Sequence, residues 1–182
     1  MAVERQFLTH DEEGTEALGE AFGRACLPGT VIALEGELGA GKTCFVRGLG
    51  RGLEIPEGVA SPSYILMQAH EGGRLPLFHF DAWMEGREKA WLAEGGGAWL
   101  REGGVSVIEW AGRVDAWLPE PRLEGRIEVL GLESRRLTFR ASGADSPALS
   151  DLGAFLGGLI TPGGVSDGDS ASPTPSEKAP PG

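Results

Sequence analysis

The chain has 182 residues, a net charge of −11, a hydrophobic fraction of 41% and two cysteines. That length fits one domain of ordinary size with a real core. The acidic balance excludes unaided binding to a nucleic-acid backbone, Cys26 and Cys44 are too few for a disulfide frame, and no apolar run approaches membrane-spanning length.

The first residues carry no signal-peptide pattern, so a cytoplasmic chain without membrane contact is expected. Residues 4–8 are expected as a first strand. Thr9 and Glu12 stand three apart, as in a capping box, ahead of a helix to about Cys26 that puts Leu18, Ala21, Phe22 and Ala25 on one face. Pro28-Gly29 ends it. Thr30-Val31-Ile32-Ala33-Leu34 is then a short apolar run suited to a buried parallel strand.

The stretch Gly36-Glu37-Leu38-Gly39-Ala40-Gly41-Lys42-Thr43 matches the phosphate-binding pattern G-x-x-x-x-G-K-[ST] at every fixed position. Glycines let the backbone curl so that successive N–H groups of Leu38, Gly39, Ala40 and Gly41 can point at phosphate oxygens. Lys42 would reach the β- and γ-phosphates of a nucleotide, and the Thr43 hydroxyl would bind Mg²⁺. Phe45, Val46, Leu49 and Leu53 recur at helical spacing just after it. Strand, glycine loop and helix are the context this motif requires.

Further along, residues 59–67 read as a loop entering a strand, because Pro62 disfavours helix. Ser61 and Ser63 are either turn residues or a hydroxyl loop that senses a γ-phosphate. Leu77-Phe78-His79-Phe80-Asp81 reads as a strand whose alternation puts His79 and Asp81 on one side and the two phenylalanines on the other. Residues 82–101 are helical in parts, with Gly95-Gly96-Gly97 as a break and Trp83, Trp91 and Trp99 expected in the core. Val105-Ser106-Val107-Ile108-Glu109-Trp110 is a second buried strand ending in an acid, the form of an element that holds a Mg²⁺ shell. Residues 126–132 and 136–141 read as a hairpin. Ser146-Pro147 opens a last helix with Leu149, Leu152, Phe155, Leu156 and Leu159 on one face. Residues 161–182 are rich in Pro, Gly and Ser, have no aromatic residue and are expected as a disordered tail, leaving 1–160 as the domain.

Taken together, Gly-Glu-Leu-Gly-Ala-Gly-Lys-Thr, Ser-Pro-Ser-Tyr, His-Phe-Asp and Ile-Glu-Trp, in that order, resemble the TsaE (YjeE) family of small bacterial ATPases over roughly residues 4–142. The resemblance implies a part in forming N6-threonylcarbamoyladenosine in tRNA, with ATP hydrolysed in complex with TsaB and TsaD and with tRNA met only through that complex. It implies that Lys42 and the loop amides hold the phosphates of ATP, that Thr43 and Glu109 serve Mg²⁺, and that Asp81 is the acid needed for hydrolysis. Trp110 would sit close to the nucleotide, and residues 61–64 would be a switch-like loop. Two positions depart from the family pattern. Ser63 replaces a threonine but keeps the hydroxyl. Met84 stands where the family commonly has arginine, and Arg87, three residues on, is the candidate substitute.

Two rival readings remain at this level: a phosphotransferase acting on a small molecule or nucleoside, and a module that binds nucleotide as a switch without hydrolysis. A kinase needs an acceptor pocket and usually an arginine-bearing lid, and residues 82–104 offer only Arg87 and Arg101. The order of elements predicts an α/β fold, a P-loop NTPase-like three-layer sandwich around a mixed, largely parallel sheet. Its parallel strands fall near 30–35, 77–81 and 105–110, and the ligand at their C-terminal ends.

Overall fold

The computed structural model describes residues 4–60, 62, 66–83, 86, 90–91, 95–100 and 103–143, with the side chains of Gly96 and Trp99 left aside. The expected switch-like loop around Ser61, Ser63 and Tyr64, the Met84 and Arg87 positions, the last helix and the tail lie outside these residues.

Among the described residues, seven strands form one sheet. In chain order they are β1 (Glu4–Thr9), β2 (Val31–Gly36), β3 (Met67–His70), β4 (Leu77–Asp81), β5 (Val105–Glu109), β6 (Arg122–Val129) and β7 (Arg135–Ser142). Their order across the sheet is β1-β7-β6-β2-β5-β4-β3. The four central strands are parallel, β6 to β2, β2 to β5 and β5 to β4, whereas β1, β3 and β7 run antiparallel to their neighbours. The parallel strands are covered on both faces and so read as near-continuous apolar runs: Val31 to Leu34 and all of β5 are buried. This is the mixed α/β sandwich expected from the sequence, with β2 central and the β6–β7 hairpin extending the sheet beyond it.

Helices α1 (Glu12–Ala25) and α2 (Lys42–Gly52) cover one face. The α1 cap differs from the expected one. Asp11, not Thr9, accepts from the Gly14 N–H at 2.6 Å, and the Thr9 hydroxyl instead lies 2.8 Å from that of Thr15. A carboxylate at that end also favours the helix dipole, as do Glu12 and Glu13 in the first turn.

The two helices cross unusually closely. A Cβ placed on Gly48 would stand 1.9 Å from the Glu16 carbonyl oxygen, and one on Gly19 would stand 2.1 Å from that of Phe45. Gly23 and Gly52, one turn further along each helix, are equally crowded by backbone. Only glycine permits that approach, and it presses Phe22 and Phe45 onto Phe139 of the sheet, with ring centroids 4.4 to 5.4 Å apart among the three. Glu16 then ties the exposed rim by bonding Arg47 at 2.7 Å and also Arg51.

Among the described residues, the opposite face is covered by short pieces. Trp91, Leu100, and Ala111, Val114 and Leu118 from two 3₁₀ turns after β5 pack on Val31, Ala33, Phe78, Phe80 and Ile108. In the Gly95-Gly96-Gly97 stretch Gly95 takes φ +82° and caps a single helical turn, α3 (Gly96–Trp99), that contains the other two glycines. Of the tryptophans expected in the core, Trp91 is buried, whereas Trp83 is 43% exposed.

Candidate active site

The phosphate-loop motif runs from the last residue of β2 into the first turn of α2. Gly36 lies against the carbonyl of Ile127, where a Cβ would come within 2.7 Å, and Gly41 takes φ +108°, a conformation closed to ordinary L side chains. These two glycines set the curl that puts the first N–H groups of α2, which have no carbonyl within the helix, around one space. Arg135 of β7 fastens the loop from outside, its Nε donating to the Ala40 carbonyl at 3.0 Å.

Lys42 is 4% exposed. Its ammonium donates to the carbonyls of Gly36 at 2.7 Å and Glu37 at 2.9 Å, and lies 3.6 Å from the centroid of the Trp110 ring. Burial lowers its pKa, and Glu109, Glu35 and Asp81 push the other way. Trp110 can reach the lysine because it leaves β5 in the left-handed region, at φ 59° and ψ 38°. The following turn is held by Glu35, which accepts from the Gly112 N–H.

The carboxylates come from the C-terminal ends of adjacent parallel strands, where Asp81 of β4 stands in register with Glu109 of β5. Glu109 is 3% exposed. It accepts from the Thr43 hydroxyl at 3.0 and 3.2 Å, and its Oε1 lies 2.8 Å from His79 Nε2. Asp81 is half-buried and accepts from the Trp83 N–H at 2.9 Å, and burial raises its pKa.

One cleft of about 370 Å³ is lined by Leu38, Gly39, Ala40, Gly41, Lys42, Thr43, Asp81, Glu109 and Trp110, together with Trp83, Glu12, Cys44 and Arg47. Every described residue singled out from the sequence for phosphate, metal or hydrolysis therefore meets in a single space. The donor set suits Mg²⁺, a hard cation that takes one or two protein oxygens and keeps several waters. Thr43 Oγ1 and the Glu109 carboxylate are already together there.

Residues 9–137 match the family model described as threonylcarbamoyl adenosine biosynthesis protein TsaE. The chain belongs to the TsaE family. It is 36% identical over 135 residues to the tRNA threonylcarbamoyladenosine biosynthesis protein TsaE of Bacillus subtilis, covering 74% of this chain and 84% of that protein. The Treponema pallidum protein of the same name is 36% identical over 131 residues, covering 72% of this chain and 96% of that one. The crystal structure of Bacillus subtilis YdiB superposes with a TM-score of 0.72 at 30% identity, over 88% of this chain and 99% of that one.

Sequence reasoning missed two features of this TsaE-family cleft. Trp83 packs against Trp110 with ring centroids 4.3 Å apart and planes inclined by 44°, and Arg113 lies over Trp83, donating to its backbone carbonyl at 2.7 Å. His79 was grouped with Asp81, but its bond is to Glu109. The available signal was register. In a parallel pair, a residue two before the end of one strand can reach across to the last residue of the next.

Proposed function

We propose that this chain is an ATPase of tRNA N6-threonylcarbamoyladenosine formation that binds ATP with Mg²⁺ and hydrolyses it in complex with TsaB and TsaD partners. The observation carrying this reading is the convergence of Lys42, Thr43, Asp81 and Glu109 on one cleft at the C-terminal ends of parallel strands. The names of the relatives support the tRNA-modification role.

In this reading the amides of Leu38 to Thr43 and the Lys42 ammonium hold the phosphate chain. Thr43 and Glu109 would hold Mg²⁺, which would supply positive charge against the phosphates. Asp81 orients or deprotonates the attacking water, and its raised pKa makes it a better proton acceptor than an ordinary carboxylate. Trp110 and Trp83 wall the cleft. The net charge of −11 agrees with contact to tRNA through partners alone. Among the described residues, no helix is long and apolar enough to cross a membrane.

The test is phosphate release from ATP by the chain alone and with TsaB plus TsaD, beside phosphate transfer to added nucleosides. The expected result is release that rises when both partners are present. Transfer to an acceptor without release would replace the ATPase by a kinase, and saturable binding with neither would leave a nucleotide switch.

A further inference from the structure

The His79 imidazole is fully buried at 0% exposure. Its Nε2 meets Glu109 Oε1 at 2.8 Å, and its Nδ1 is buried with no hydrogen-bond partner among the described residues. An ionised carboxylate only accepts, so Nε2 is the donor of this bond, and Nδ1 is a buried polar atom left unsatisfied. Burying such an atom is unfavourable, and an apolar ring at this position of β4 would avoid it. What the imidazole adds is one directed N–H aimed at the carboxylate.

The bond has a geometric consequence. Oε1 of Glu109 receives both His79 at 2.8 Å and Thr43 at 3.0 Å, whereas Oε2 receives Thr43 alone at 3.2 Å. Two donors on one oxygen fix the carboxylate plane and leave the second oxygen with spare acceptor capacity at the cleft that Glu109 lines. Without His79, Glu109 would be a buried carboxylate tied, among the described residues, by one rotatable hydroxyl that the cation itself needs.

We propose that His79 is a positioning residue that presets Glu109 for Mg²⁺ by donating from Nε2 to Oε1. This rests on the reading of Thr43 and Glu109 as the metal-holding pair. An outer partner that orients a ligand changes metal affinity more than it changes the binding of the rest of the substrate.

The experiment is a titration of Mg²⁺ at fixed ADP, followed by tryptophan fluorescence, on the parent chain, His79→Phe and His79→Gln, with folding checked by circular dichroism. His79→Phe keeps the ring and loses the donor. It should raise the Mg²⁺ concentration at half-effect about tenfold or more, with ADP affinity in EDTA within about twofold of the parent. The Gln amide N–H can stand in for Nε2, so His79→Gln should stay within about threefold of the parent. If His79→Phe does not fold, His79→Asn, whose amide is one carbon shorter, takes its place and should behave as the donor-less variant. A folded His79→Phe with parental Mg²⁺ dependence, or equal behaviour of the Gln and Asn variants, would overturn the assignment of His79 alone. A parent whose ADP binding ignores Mg²⁺ would instead overturn the metal-holding reading of Thr43 and Glu109, and this inference with it.

Discussion

The two faces of the sheet are built on different plans. On one, α1 and α2 lie backbone against backbone at four glycines and drive three phenylalanines together. On the other, among the described residues, short turns and anchors such as Trp91, Leu100 and Val114 do the covering, and Trp83 and Trp117 remain 43% exposed. The cleft lies on the seam between them. The tight face delivers Lys42 and Thr43 at the start of α2, where small errors in backbone position would misplace the amides proposed to hold phosphate. The looser face delivers the turn after β5 with Trp110, and Trp83 beyond the end of β4. The fold thus reserves its most exacting packing for the part of the site made of backbone.

The contrast can be broken hardest at Gly48. Its missing Cβ faces a backbone oxygen, not the end of a flexible side chain, so Gly48→Val should separate α1 from α2 and cost about 3 kcal/mol or more. Urea unfolding monitored by circular dichroism measures it, and a change under about 1 kcal/mol would show that the helix crossing yields easily.

Trp83→Ala probes the other face and should be milder. The ring is partly exposed and touches Trp110 and Arg113, so unfolding free energy should move by no more than about 1 kcal/mol. The same variant should change the fluorescence response of Trp110 to nucleotide, because one wall of the cleft is gone. A stability loss equal to that of Gly48→Val would mean the two faces are built alike.

These differences decide what the sequence made legible. The phosphate loop, β2 and the apolar stripe of α2 could be read directly, since motif and periodicity are local. The acids at the ends of β4 and β5 could be read as strand-terminal carboxylates because both strands are short apolar runs. The Thr9 cap was misassigned because Asp11 lies closer to the helix start and its carboxylate accepts better than a hydroxyl. The glycine crossing was visible as Gly19/Gly23 and Gly48/Gly52, each pair four apart, but glycine ordinarily weakens helices, and only the partner helix gives those positions meaning. Trp83 and Arg113 lie thirty residues apart and meet only because the turn after β5 folds back in a left-handed conformation at Trp110. No periodic signal encodes that turn.

The central claim is that the cleft couples nucleotide binding to hydrolysis through separate groups, Lys42 for the phosphates and Asp81 for the attacking water. The direct measurement is Asp81→Ala beside Lys42→Ala, with ATP affinity taken from tryptophan fluorescence and phosphate release measured with TsaB and TsaD present. Asp81→Ala should hold ATP within about threefold of the parent and lose hydrolysis by about a hundredfold or more, while Lys42→Ala should lose tight binding itself. An Asp81→Ala chain that hydrolyses ATP like the parent would contradict the account, and would leave Asp81 as no more than the acceptor for the Trp83 N–H.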